Sequence, residues 1–537
     1  MIPLHVHSYY SLMEGAAPIE GIIEKAKNFF LPAVALTDTN GMYGLIEFSK
    51  KAAEAKIKPI LGSYIDDPFK KNIYALFIAK NSEGYADLCK IITSRKLKDD
   101  FSLTKLLQND FPRLFIITSS LELLKNIPPR KNVFAELIAT KKWNNKTRDL
   151  YEYANLKKIP CAASNPIYFL NREDHILHKT LKTISERRTL ENILPDELVD
   201  EEFYFKNPNE LMHLWRNLPD AIGSTYYIAE QCNVDLELGE YKFPSLHNSN
   251  NDDTRTILWE LASDGLKQRY PDNNSEAWSR LKREMDVIRE RNLTDYFLVV
   301  LDILREAKKR GMLHIGRGSA ANSIVSYALG FTDIDPIKHN LFFERFLNKS
   351  RSSPPDIDID FSWKERDEII KYVFEKYGYD KVAMISTHVT FRARSAFREV
   401  AKVFGIPDGE ITKKSKFIPW TDARNLPNVS ELFPEARSLK FNDEPWKTIV
   451  NLASRLANYP RHLSIHPGGI VIAPQPITKY VALEFAKNKG VGLIITQPDM
   501  HGVEDLGLVK IDLLSQRSLG VLRDTITRIK FNNSAYR

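Results

Sequence analysis

Cysteine is scarce in this chain, and long apolar runs are missing. Its 537 residues include three cysteines, Cys89, Cys161 and Cys232, which lie far apart and form no C-x-x-C pair. That spacing argues against a disulfide framework and a cysteine-based zinc cluster, and it fits a reducing, cytoplasmic location. No apolar stretch approaches the roughly 18 residues that a membrane span requires, so no membrane partner is expected. The N-terminus, MIPLHVHSYYS, has no basic segment followed by an apolar one, which argues against a secretory leader. Neither sign of charge dominates: 76 Lys and Arg against 69 Asp and Glu give +7, which permits a polyanionic partner without requiring one. What is there is ordinary for a globular protein, with 43 % hydrophobic and 27 % charged residues. The length suits roughly three domains.

Up to about residue 230 the pattern alternates. APIEGIIEKAKNFF and YGLIEFSKKAAEAKI have helical periodicity, while AVALTD, KPILGSYI, NIYALFIA, RLFIITSS, VFAELIA and IPCAASN read as short strands. Strands alternating with helices predict a parallel α/β arrangement with functional residues at the C-terminal ends of strands. His5 and His7 end the first run and Asp38 ends the second; residues at i and i+2 on a strand share a face, where they can ligate a metal.

The Asn- and Asp-rich segment SLHNSNNDD, residues 245–253, reads as a linker. Two amphipathic helices follow, around residues 278–291 and 297–310. Next, HIGRGSAANSIVSYALG places Arg317, Gly318 and Ser319 before a helical run. A helix N-terminus with glycine and arginine suits a phosphate. In PPDIDIDF, residues 354–361, Asp356, Asp358 and Asp360 alternate with Ile357 and Ile359, so all three carboxylates share one strand face. Such a face either binds Mg²⁺ through carboxylates and substrate phosphates or is a solvated strand. Further on, Arg394, Arg398 and Lys402 fall at i, i+4 and i+8 of one helix, a cationic face suited to phosphates. His462 and His466 flank a Gly-Gly turn and read as hydrogen-bonded structural histidines. In LVKIDLL, Lys510 and Asp512 share a strand face.

Two resemblances organise these motifs. LHVHSYYSLMEG, ALTDTNGMYG, KPILG and IPCAASNPIYFLNREDHILH resemble the polymerase-and-histidinol-phosphatase (PHP) domain, in which these segments ligate three metals. Here Thr39 follows Asp38 where the family has His, Ser63 or Tyr64 stands in place of Glu, and Pro166 and Tyr168 replace an acid and a His. The surviving His5, His7 and Asp38 would hold at most a single Zn²⁺ or Mn²⁺. A structural or docking barrel is therefore expected rather than a phosphoesterase.

The run GRGSAANSIVSYALGFTDIDPIKHNLFFERFLNKSRSSPPDIDIDF resembles the palm of the C-family bacterial replicative polymerases, the DNA polymerase III alpha subunits. The resemblance implies a PHP-type β/α barrel over residues 1–230. It then implies a polymerase-beta-like nucleotidyltransferase palm over 231–389 and 468–537, with a helical thumb inserted at 390–467. Asp358, Asp360 and Asp512 match the catalytic aspartates that hold two Mg²⁺. Arg317, Gly318, Ser319, Arg345 and Lys510 match phosphate contacts, and Arg394, Arg398 and Lys402 fall in the DNA-gripping thumb. The implied substrates are primer-template DNA and dNTP, with a sliding clamp or proofreading subunit as further partners. Ser353-Pro354-Pro355 in place of a Met-Pro is a small departure, and SQR after KIDLL points to a divergent or error-prone branch. No counterpart of the family's fingers and later domains is read in this sequence. A truncated or inactive DNA-binding fragment and a PHP phosphoesterase therefore remain as alternatives.

Overall fold

A computed structural model describes residues 1–244, 251–272, 274–348, 355–486 and 492–532. Most of the expected linker and the Ser353-Pro354 departure lie outside the described residues.

The first sheet runs in sequence order through β1 (Ala33–Leu36), β2 (Lys58–Asp67), β3 (Lys70–Ala79), β4 (Leu114–Thr118), β5 (Val133–Ile138) and β6 (Cys161–Ser164). Residues 3–7 bridge its two ends. The Ala35 N–H donates to Pro3 and the Thr37 N–H to Val6 on the β1 side, while His7 and Ile167 bond across the other. The curled sheet is thereby joined around a core that includes Val6, Leu36, Phe77, Ile116 and Leu137.

The expectation of an all-parallel sheet is corrected here. Strands β1–β2, β4–β5 and β5–β6 pair in parallel, but β2–β3 and β3–β4 are antiparallel. The reason is local: Asp67 and Lys70 are separated by two residues, and a connection that short can only turn a strand back on itself.

The second sheet has seven strands in the order β11-β12-β9-β10-β13-β8-β7. They are β7 (His314–Arg317), β8 (Asp358–Ser362), β9 (Val382–Thr390), β10 (Pro460–Ile472), β11 (Leu483–Phe485), β12 (Ile494–Asp499) and β13 (Lys510–Gln516). The amphipathic helices appear as Ser275–Glu290 and Thr294–Lys309, and bury Leu281, Ile288, Phe297, Val300 and Leu304 behind this sheet with Ile359, Phe361 and Leu513.

Between the paired strands β9 and β10 the chain makes a helical excursion, including Ala393–Val403, Asp408–Ser415 and Trp446–Arg455. Its core residues Phe397, Val400 and Ile449 join Leu177 and Leu181 of the barrel helix His175–Glu186. The seven-stranded sheet also touches the barrel. Tyr43 donates to Glu484 (2.6 Å) and the Met42 N–H donates to Gln497 (3.0 Å), all four residues being buried.

Candidate functional site

Strand periodicity puts the acids where the sequence places them. β8 pairs in parallel with β13, with Asp358 opposite Asp512 and Asp360 opposite Leu514. On the other side β8 pairs antiparallel with β7, with Arg317 opposite Asp358. Side chains directly opposite on paired strands project to the same face, so Asp358, Asp360, Asp512 and Arg317 meet there. Two cations already lie on these acids. Arg317 Nε is 3.2 Å from Asp360 Oδ1, and Lys510 Nζ is 2.8 Å from Asp512 Oδ2 and 3.6 Å from Asp356 Oδ1. Burial and the neighbouring Asp512 charge raise the Asp358 carboxyl, against the pull of Arg317. Burial lowers Lys510, but Asp512 and Asp356 outweigh it and hold the ammonium above its ordinary value.

Among the described residues no three His, Cys, Asp or Glu side chains converge closely enough to hold a metal as they stand. The acidic face nevertheless fits divalent cations. Asp512 Oδ1 is buried and accepts no hydrogen bond, and Asp360 Oδ1, equally without one, has only the Arg317 guanidinium beside it at 3.2 Å; buried carboxylate oxygens are costly unless positive charge meets them.

Backbone details shape this face. Gly318 has φ +72°, and a Cβ there would lie 3.3 Å from Asp358 Oδ2. The expected helix start after it is corrected. Gly318–Asn322 is a 3-10 turn, and the α-helix Ile324–Ala328 begins later, with Ser323 capping the Ser326 N–H. Ser323 can end the turn because its hydroxyl supplies the acceptor that the helix start needs. Ser319 is partly exposed on the turn, and Arg345 is exposed on the adjacent turn Phe343–Arg345.

One residue here was read only as structural. Opposite Asp512, β10 breaks register between Ile465 and Ile470, and its Gly469 pairs with Asp512. His466 holds this bulge: its Nδ1 accepts from the Gly469 N–H (2.7 Å) and lies 3.7 Å from Asp512 Oδ1. Gly468 contributes by absence, since a Cβ would sit 2.5 Å from Leu514 Cδ2 and 3.3 Å from Asp512 Oδ1. The His-Pro-Gly-Gly run was the available signal.

In the barrel, His5, His7 and Asp38 come together, but as a satisfied network. Asp38 accepts from the Ser8 N–H (2.7 Å), Ser8 Oγ (2.8 Å) and Ser11 Oγ (2.6 Å). His7 Nδ1 is 2.9 Å from Ser11 Oγ, and His7 Nε2 is 2.9 Å from His5 Nε2. His5 Nδ1 then meets Glu136 at 2.6 Å, and Glu136 also accepts from Tyr74 and Ser164. The Tyr168 ring stacks on His7 at 4.0 Å, and Tyr64 packs against both imidazoles. Burial pushes Asp38 up to about 6 against the pull of its serine hydrogen bonds, and burial with His5 drives His7 well below its usual value. Burial also pushes Glu136 upward, yet His5 and its hydrogen bonds hold it below the ordinary range. Glu136 escaped the sequence reading; an acid inside the apolar run VFAELIA was its signal.

The three cations of the helix face share the helix Ala393–Val403, and two of them also bond within the protein. Arg394 donates to the Ile418 carbonyl (2.6 Å) and Arg398 to Ser415 (3.0 Å), because the segment 408–418 folds back against their helix. Lys402 alone of the three has no ion pair or hydrogen bond among the described residues and borders a cleft.

Comparison with known proteins agrees with this layout. Residues 256–515 match the family model for the bacterial DNA polymerase III alpha NTPase domain, and residues 3–154 match the PHP domain. The chain is 32 % identical to an error-prone DNA polymerase of Symbiobacterium thermophilum, covering 98 % of this chain and 52 % of that protein. It is 35 % identical to the DNA polymerase III subunit alpha of Borreliella burgdorferi (100 % and 50 %). For the Bacillus subtilis subunit alpha the identity is 32 % (98 % and 49 %). The chain spans about half the length of the curated relatives it matches. With both domain models in order and this similarity over nearly its whole length, the chain belongs to the family of bacterial DNA polymerase III alpha subunits.

Proposed function

We propose that this chain carries the nucleotidyl-transfer centre of a DNA-directed DNA polymerase, acting in DNA replication and located in the cytoplasm. The observation that carries the reading is the pairing of Asp358 with Asp512 beside Asp360, with buried oxygens that no hydrogen bond satisfies. Asp358, Asp360 and Asp512 would hold two Mg²⁺. When bound, the ions supply Lewis-acid stabilisation of charge on the attacking and leaving oxygens. The chain's own part is electrostatic and positional. Arg317 and Lys510, now on Asp360 and Asp512, are within reach of a triphosphate brought to the same face. Gly318, Ser319 and Arg345 line the adjoining turns for its phosphates.

The proposed division follows the expectation: barrel over 1–230, palm over 231–389 and 468–537, thumb over 390–467. Primer-template DNA would lie along the thumb side, with Lys402 as the free cation and Arg394 and Arg398 bracing the helix beneath it. A sliding clamp or proofreading subunit is a further proposed partner, as is an error-prone rather than replicative role. Among the described residues no helix is long and apolar enough to cross a membrane.

For the barrel, a structural role is favoured over Zn²⁺- or Mn²⁺-dependent hydrolysis, because its ligand-type residues already satisfy one another. A second reading is a chain that binds primer-template DNA without extending it. Primer extension separates them. Asp358→Asn and Asp360→Asn should each abolish Mg²⁺-dependent incorporation while leaving DNA binding in place; wild-type incorporation by both would overturn the assignment.

A further inference from the structure

We propose that the cleft between the barrel, the helical excursion and β11 binds a phosphate-bearing nucleotide ligand, at a site distinct from the acidic face. The cavity measures about 1150 Å³. That is somewhat above the roughly 300–1,000 Å³ of most small-molecule pockets. Its barrel wall ends the helix His175–Glu186, where Arg187 takes a left-handed conformation (φ 54°). Its second wall presents Lys402 and Arg461, and β11 closes the third side with Phe485.

Charge decides what such a cleft accepts. Its carboxylates are neutralised within the protein. Glu399 holds Arg461 at 2.8 Å, and Glu484 accepts from Tyr43 at 2.6 Å with Lys96 3.4 Å away. Arg188 is likewise paired, with Glu197 at 2.8 Å. Arg187 and Lys402 have no ion pair among the described residues, and both are exposed at the cleft. Two unmatched cations lining one cavity attract a polyanion. The partly exposed apolar lining, Leu12, Leu463 and above all the Phe485 ring, adds surface on which a base can pack. An inorganic anion would leave that surface unused, whereas a nucleotide uses both features.

The walls are fixed. The Tyr459 hydroxyl donates to the Ala16 carbonyl (2.9 Å), tying the excursion to the barrel, and the shared core around Leu181 and Val400 backs the same contact. The cleft therefore stands open before a ligand arrives.

The ligand's phosphates belong either to single-stranded nucleic acid or to a free nucleotide; the first source rests on the polymerase reading and the second does not. Fluorescence anisotropy of the whole chain with a labelled oligothymidine, and separately with a fluorescent ATP analogue, distinguishes them. Both titrations are made in EDTA so that metal-dependent nucleotide binding at the acidic face is silent. Failure here is then separate from failure of primer extension. Arg187→Glu and Lys402→Glu should each weaken binding about tenfold or more and make its salt dependence shallower. Lys282→Glu, an equal charge change on the remote helix Ser275–Glu290, should leave it unchanged. Loss with the oligonucleotide alone assigns a strand, and loss with the ATP analogue assigns a free nucleotide. Unchanged binding in Arg187→Glu, even if Lys402→Glu weakens the oligonucleotide as a thumb contact would, an equal loss in Lys282→Glu, or no binding of either probe would overturn the proposal.

Discussion

Asp358 and Asp512 face each other directly across the parallel pair β8–β13, although one lies in the first stretch of this sheet and the other in its last strand. Two carboxylates in that register repel unless positive charge lies between or beside them. Arg317 and Lys510 supply it in the structure, and divalent cations with a triphosphate would supply it during turnover.

In the proposed reading Arg317, which lies on Asp360 at rest, would turn to the substrate in use, so its removal should separate the two roles. Arg317→Ala should raise the nucleotide KM about tenfold or more, the scale of losing a charge-assisted phosphate contact. At the same time, freeing Asp360 should tighten Mn²⁺ binding in the absence of nucleotide, read by electron paramagnetic resonance. Thermal stability should hardly move, because the side chain is 49 % exposed and such pairs contribute little.

His466 is expected to act through Asp512. His466→Ala removes the acceptor for the Gly469 N–H and lets the bulge relax beneath the carboxylate. The kcat should fall about tenfold or more, the scale on which small misplacement at a reacting centre is felt. Mn²⁺ affinity should weaken with it. His466→Asn, which keeps an acceptor, should recover part of both. Equal losses in the two variants would mean that the imidazole itself is required.

Barrel stability should depend on pH through His178. This imidazole is buried between the Glu14 carbonyl, to which Nδ1 donates at 2.7 Å, and the Val199 N–H, which donates to Nε2 at 3.2 Å. Burial lowers it from 6.5 to about 4, with His175 and Lys182 adding to the effect and the Glu14 hydrogen bond opposing it. Between those values the unfolded chain binds the proton more tightly, so stability is intact above 6.5 and falls as the pH drops toward 4. The loss approaches ~3 kcal/mol, and urea denaturation across that range should show it, with a flatter profile for His178→Gln.

Local chemistry was legible in the sequence; long-range geometry was only partly so. The alternation of Asp358 and Asp360 with isoleucine is a period-2 signal contained in one strand, and it survived intact. That Lys510 and Asp512 share a face was also legible, but that Asp512 joins Asp358 and Asp360 was implied only by the family resemblance, and the strand pairing itself was not read, because register between distant strands leaves no local trace. The hairpin between β2 and β3 was hidden by apolar runs that look alike in parallel and antiparallel sheets. The Gly318 turn was misread as a helix start, since glycine and serine suit both. His466 was read as a hydrogen-bonded structural histidine, which it is, but its closeness to Asp512 left no local trace, and Glu136 was missed because it lies within a core strand. That Arg394 and Arg398 also bond to a segment folded back onto their helix is something periodicity does not report.

Asp358 and Asp512 also give the most direct test of the proposed centre. Single-nucleotide incorporation on a primer-template should be measured for Asp358→Asn, Asp512→Asn and the double variant, each checked for folding by circular dichroism. If the two acids form one catalytic centre, each single change should lower the rate about 10³-fold or more and the double change should cost little beyond either. Wild-type incorporation by either single variant, or losses that simply multiply, would contradict the account.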